Sequence, residues 1–156
     1  MASSSSGSGS DFLARKSNAN RVRSALPELH DIVVVDDESI DAQRLFATLR
    51  IMFGYDIGVR LAATAQGAVE RVRDRTPDIL FLDDILKPSD DAARTIPSLR
   101  HAGYVGPIVV ISGHVTRTRR STLLAAGANA VIHKDEVDSV HLAETLQRIF
   151  CLKTGD

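Results

Sequence analysis

The sequence predicts an α/β fold: a five-stranded parallel sheet, doubly wound, with helices on both faces. Three observations carry this. Five short, β-branched runs recur from Asp31 onward, a longer segment of helical period follows each, and three of the runs are apolar almost throughout. Strands alternating with helices become parallel neighbours, because each return to the same end of the sheet needs a crossover, and crossovers are right-handed.

The strand runs are Ile32 to Val35, Gly58 to Ala62, Ile79 to Leu82, Ile108 to Ile111 and Ala130 to Ile132. After the first, Leu45, Leu49, Met52 and Phe53 form one apolar stripe, and Gly54 is placed to stop the helix. The other helical segments are Ala65 to Arg75, Ala92 to His101, Thr116 to Ala126 and Val140 to Phe150, with Gly103 and Gly127 just past two of the ends. Pro97 lies inside the third helix and is expected to kink or delay it. The first, third and fourth runs read as buried central strands. The second, Gly58-Val59-Arg60-Leu61, is mixed, and the fifth is short and interrupted by His133, so both suit edges. The expected order is therefore 2-1-3-4-5, a flavodoxin-like arrangement whose switch point lies between strands 1 and 3; ligands bind there, beyond the carboxyl ends of the strands.

Composition narrows the function classes. The chain of 156 residues is 44% hydrophobic and 25% charged, the balance of one globular domain. Its 19 basic and 20 acidic residues leave a formal charge of -1, so no broad positive field exists to hold nucleic acid or anionic lipid. Apolar runs such as Ile32 to Val35 fall far short of the ~20 residues needed to cross a bilayer. Cys151 is the sole cysteine, which excludes an intrachain disulfide and suggests a reducing, cytoplasmic setting. Residues 1–28, rich in Ser, Asn and Arg, read as a disordered N-terminal arm made locally basic by Arg15, Lys16, Arg21 and Arg23. Residues 29–156 form the expected domain.

The chemistry gathers at strand ends. Strand 1 ends in Asp36-Asp37-Glu38 and strand 3 in Asp83-Asp84. If these strands are neighbours, several carboxylates meet at the switch point, where like charges raise one another's pKa or demand a cation. A hard divalent ion such as Mg2+ suits such a set. The alternative for Asp36 or Asp37 alone is a cap on the following helix, a part Ser39 also fits. Strand 4 ends in Ser112, and Lys134 follows strand 5. Singly these read as a turn residue and a solvated cation. Together with the carboxylates they suit reversible phosphoryl transfer onto an aspartate, with metal and lysine compensating charge.

Residues 31 to about 152 resemble the receiver domain of two-component response regulators. The matching segments are Ile32-Val33-Val34-Val35-Asp36-Asp37-Glu38, Pro77-Asp78-Ile79-Leu80-Phe81-Leu82-Asp83, Gly106-Pro107-Ile108-Val109-Val110-Ile111-Ser112, and Ala126-Gly127-Ala128 leading to Lys134, 22 positions after Ser112. The resemblance implies that Asp36 and Asp37 are the acidic pair, Asp37 the more direct ligand, and that they hold Mg2+ together with Asp83. It also implies that Asp83 is the phosphoacceptor, Ser112 the switch hydroxyl and Lys134 the active-site lysine. It further implies a histidine kinase or phosphotransfer protein as phosphodonor. With six residues after Phe150, output is expected through binding a target or a second copy at the face of helix 4, strand 5 and helix 5. Arg117, Arg119 and Arg120 begin that face, read either as docking residues or as a solvated surface.

Three positions depart from the family pattern. The family's proline four residues after the acceptor is Pro88, which is five after Asp83 and four after Asp84. Asp84 is therefore the alternative acceptor. Successive strand residues face opposite ways, so only one of the two can aim at Asp37, and an extra residue fits more easily into the loop than into a buried strand. That favours Asp83 and leaves Asp84 to begin the loop and assist the metal from the side. Lys134 is followed by Asp135 rather than proline, and Val131 replaces an aromatic switch residue, with His133 beside it read as a surface histidine. The expected protein is a phosphoacceptor of a two-component phosphorelay and not an enzyme. The alternatives are a small Asp-nucleophile, Mg2+-dependent phosphohydrolase, or a pseudo-receiver that serves as a binding module.

Overall fold

A computed structural model describes residues 26–86 and 90–154. In chain order the elements are β1 (Asp31–Val35), α1 (Ser39–Phe53), β2 (Gly58–Ala62), α2 (Ala65–Asp74), β3 (Ile79–Asp83), β4 (Ile85–Leu86), β5 (Asp90–Asp91), α3 (Ala92–His101), β6 (Ile108–Ser112), α4 (Arg117–Ala126), β7 (Ala130–His133), a 3-10 turn (Lys134–Glu136) and α5 (Ser139–Thr154). The main sheet is parallel in the order β2-β1-β3-β6-β7. That is the expected 2-1-3-4-5 once the two-residue strands β4 and β5 are set aside. Those two pair antiparallel, Ile85 with Asp91 and Leu86 with Asp90, as a separate ribbon that the sequence reading did not anticipate.

The pleat of the strands divides the core into two layers. Ile32, Val34, Ile79, Phe81, Val109 and Ile132 pack toward α1 and α5, where they meet Leu45, Leu49, Leu142 and Leu146. Val33, Val35, Leu80, Leu82, Val110 and Val131 pack toward α2, α3 and α4, against Val72, Ile96, Leu99 and Leu123. All residues of β1 and β3 are buried, as central strands require. In the mixed edge strand β2, Arg60 forms a two-point ion pair with Asp31 (Nε–Oδ1 3.0 Å, Nη2–Oδ2 2.5 Å) and donates to the carbonyls of Arg71 and Arg75. A charged residue is thereby accommodated at the sheet end remote from the strands' carboxyl termini.

Helix boundaries follow local chemistry. Thr64, Asp91 and Thr116 each accept a backbone N–H through their side chains at the N-termini of α2, α3 and α4. Helix α3 starts at Ala92 and continues through Pro97, so the expected delay is absent; the Asp91 cap fixes its start. Gly127 ends α4 at φ +122°, a conformation that only glycine adopts readily. Of the expected N-terminal arm, residues 1–25 lie outside the described residues. Leu26, within the stretch assigned to that arm, packs against the α1–α5 core layer, as does buried Leu29 just after it, while Glu28 between them is exposed.

Candidate functional site

The ladder between β1 and β3, which pairs Val35 with Leu82, brings their carboxyl ends side by side. One carboxylate oxygen from each of Asp36, Asp37 and Asp83 lies within 4.8 Å of the others. Strand alternation accounts for two of the three: Asp36 and Asp83 continue the parity of Val34 and Phe81, so both turn toward the α1 side of the sheet, while Asp37 joins them from the turn after β1. Asp36 also accepts a hydrogen bond from the Glu38 backbone N–H (2.8 Å), which shapes the turn into α1. It does not cap that helix, whose N-cap residue, Glu38, makes no side-chain cap bond.

The electrostatics are those of crowded acids. Burial first, then the charge of Asp36, pushes the Asp83 carboxyl up to about 7, against the opposing pull of Lys134. Burial likewise raises Asp36, partly offset by the hydrogen bond from Glu38. Lys134 Nζ stands 3.8 Å from Asp83 Oδ1 and 3.5 Å from Asp41 Oδ2. Burial alone lowers the ammonium, but Asp83, Asp41 and Asp36 outweigh it and hold the group charged. Asp41 was not picked out from the sequence. Its signal is an acid four residues beyond Asp37, in the first turn of a helix that starts at the same sheet edge.

Asp84 and Ser112 take the opposite parity and face α4. Asp84 is buried, and its backbone is fixed at both ends: its N–H donates to the Ile111 carbonyl (2.9 Å) and its carbonyl accepts from Ala92 N–H (2.7 Å). Its side chain accepts from Ser112 Oγ at 2.8 Å and from Arg119 Nε at 3.2 Å, with Arg119 Nη2 closing an ion pair on the other oxygen. Asp84 therefore does not assist a metal from the side, as the sequence had suggested. The Arg119 ion pair and the pleat turn its carboxylate to the other face.

A sequence-family model described as the response regulator receiver domain matches residues 32–147. The chain belongs to that family. It is 33% identical over 106 residues to the nitrogen assimilation regulatory protein NtrX of Azorhizobium caulinodans, an alignment covering 67% of this chain and 23% of the relative. The chain thus spans about a quarter of that curated relative's length. Among solved structures, a LuxR-family two-component response regulator from Aurantimonas sp. SI85-9A1 superimposes with TM-score 0.67 at 22% identity, covering 79% of this chain and 86% of that one. A response regulator protein from Burkholderia pseudomallei, solved with a phosphorylated aspartic acid, calcium ion and citrate, gives TM-score 0.67 at 18% identity, covering 81% and 72%. These two likenesses concern the fold.

Within the receiver domain, the three departures from the family pattern have distinct outcomes. Pro88 lies outside the described residues. Lys134 and Asp135 enter the 3-10 turn, which is closed by a reciprocal box: the His133 side chain accepts from Asp135 N–H (3.0 Å) and Glu136 Oε1 accepts from His133 N–H (3.2 Å). His133 is thus a half-buried turn-former and not a free surface histidine. Val131 is buried under α4. Of the three arginines, Arg119 is committed to Asp84, and Arg120 donates to the Val131 carbonyl (3.1 Å), so neither is simply solvated.

Proposed function

We propose that this receiver domain accepts a phosphoryl group on Asp83 from a phosphohistidine of a sensor kinase or phosphotransfer protein, and passes the signal on by protein–protein contact. The observation that carries the reading is the pairing of Asp83 with Asp36 and Asp37 on one side and with Lys134, 3.8 Å away, on the other. In the transfer, a carboxylate oxygen of Asp83 attacks phosphorus. The P–N bond breaks, its electron pair returns to the imidazole nitrogen, which takes up a proton, and an acyl phosphate remains.

The donor set fits a divalent cation. Three carboxylate oxygens so close together carry charge that only a cation or protonation relieves, and an oxygen-only set suits Mg2+ while leaving coordination positions for water and phosphoryl oxygens. Asp36, Asp37 and Asp83 would hold the Mg2+, which would supply positive charge beside the transferring group. Lys134 supplies a second, fixed charge beside the acceptor. Lys134 already pulls the Asp83 carboxyl down against burial and the charge of Asp36, and a bound cation would pull it further, favouring the ionised carboxylate. The Burkholderia protein's phosphorylated aspartic acid and calcium ion support the combination of acyl phosphate with a divalent cation.

Among the described residues no helix is long and apolar enough to cross a membrane, in keeping with a cytoplasmic setting. The proposed output surface is the face of α4, β7 and α5, which carries a groove of about 240 Å3 lined by Arg120, Val131, Ile132, His141, Thr145 and Arg148. Action there is by binding a target or a second copy, not by turnover.

Incubation with acetyl phosphate and Mg2+ tests the reading. Intact mass should rise by one phosphoryl group, and borohydride trapping should mark Asp83. Label on Asp84 alone would move the acceptor, and hydrolysis of small phosphate esters with turnover would favour the phosphohydrolase.

A further inference from the structure

Asp84 and Arg119 take no part in the transfer just described, yet they meet at a buried carboxylate one residue from the acceptor. Ser112, 1% exposed, has one hydroxyl proton. Its Oγ donates to Asp84 Oδ2 at 2.8 Å, with the His114 carbonyl as a longer alternative at 3.2 Å, and accepts from His114 N–H at 3.1 Å. Both acceptors of that proton, Asp84 Oδ2 and the His114 carbonyl, are groups other than Asp83. A phosphoryl oxygen on Asp83 therefore gains the hydroxyl only if Ser112 gives up Asp84.

We propose that Asp84 and Arg119 are positioning residues that hold the Ser112 hydroxyl off the phosphoacceptor, so that its release couples the modified site to α4. This rests on the reading of Asp83 as acceptor. Asp84 grips the hydroxyl as a charged acceptor, a stronger partner than a neutral one. Arg119 shares the same carboxylate, contacting both oxygens, and so moderates that grip. Arg119 is also the means of transmission. It is the third residue of α4, and its Nη2 lies 3.8 Å from Oδ1 of Asp91, the side chain that caps α3. When Ser112 leaves, Asp84 keeps only the arginine among these side-chain partners, and the change is felt at the first turn of α4 and the start of α3. Strand pairing supports the route, since Asp83 sits opposite Ile111 and Ser112 is the next residue along β6.

The probe is beryllofluoride with Mg2+, followed by fluorine NMR, with phosphoryl mass gain measured in parallel. Asp84→Asn preserves shape and an acceptor oxygen but removes the charge. Exchanging a charged acceptor for a neutral one should tighten beryllofluoride binding about fivefold. Arg119→Gln should act in the opposite sense, because Asp84 then holds the serine unshared. Opposite signs separate positioning from general loosening of the fold, and Arg119, partly exposed in the first turn of α4, carries the test if the Asp84 variant does not fold. In a Ser112→Ala background both effects should vanish. Wild-type protein that neither binds beryllofluoride nor gains mass would overturn the acceptor reading and this inference with it. Wild-type protein that does both, with variants unchanged or equally affected in the Ser112→Ala background, would overturn the inference alone.

Discussion

Replacing Asp83 with Asn should stabilise the metal-free protein at pH 8 and leave it nearly unchanged at pH 4. Asp83 is 6% exposed, and folding moves its carboxyl from an ordinary value near 3.8 to about 7, burial being the main cause and Asp36 the next. A carboxyl raised on folding favours the folded state while it is protonated. That advantage is complete below the unfolded value and is lost as pH climbs through the folded one. Relative to acid, the ionised group opposes folding by at most ~4 kcal/mol at pH 8. The surrounding charges of Asp36, Asp37 and Lys134 are partly exposed and so screened by solvent, which makes about 2 kcal/mol the working figure. For a domain of this size that corresponds to roughly 5–10 °C in Tm. Thermal melts in a metal chelator, for wild type and Asp83→Asn across pH 4–8, measure it directly. The variant's advantage should emerge between pH 4 and 7, and saturating Mg2+ should erase it by stabilising only the wild type. An equal gain at pH 4 and pH 8, or no gain at either, would refute the electrostatic account of this site.

Other perturbations probe its neighbours. Lys134→Ala removes a charge that lowers Asp83, so the metal-free Asp83 titration, followed by carbon NMR of its carboxyl, should move above 7, and acyl phosphate formation should slow by at least about tenfold. Asp37→Asn should weaken Mg2+ binding by about tenfold or more in calorimetry; unchanged affinity would remove Asp37 from the site. Gly127→Ala would force a side chain onto φ +122°, with its Cβ 3.1 Å from Ile96 Cγ2, and should cost about 1–3 kcal/mol in denaturant melts without altering Mg2+ affinity.

The strands were legible because buried central strands have few substitutes for β-branched and aliphatic runs, and Ile32–Val35 and Ile108–Ile111 have both the length and the flanking turns. Residues at their ends were legible for the same reason: once strand order is known, Asp36, Asp83 and Ser112 must share one edge. The β4–β5 ribbon was not, since two residues a side carry no period and paired aspartates are poor strand formers. The Ser112–Asp84–Arg119 contacts escaped for another reason. They join residues 28 and 35 positions apart through polar side chains, and such pairs leave no periodic trace. The turn after β7 had a faint signature in His133-x-x-Glu136, a capping box with histidine where serine or threonine is usual.

The two-layer core gives adjacent residues of β3 different constituencies. Asp83 answers to Asp36, Asp37 and Lys134, which lie far from it in sequence, while Asp84, one peptide bond away, answers to the helix that begins at Arg117. On the proposed reading, the sheet is a partition bridged at this dipeptide, with chemistry written on one side and read on the other. Distance along the chain is a poor guide to consequence in such a protein. A change at residue 84 should leave the catalytic charges in place and alter how the rest of the molecule hears of them, whereas a one-residue slip of this strand would exchange the two sides altogether.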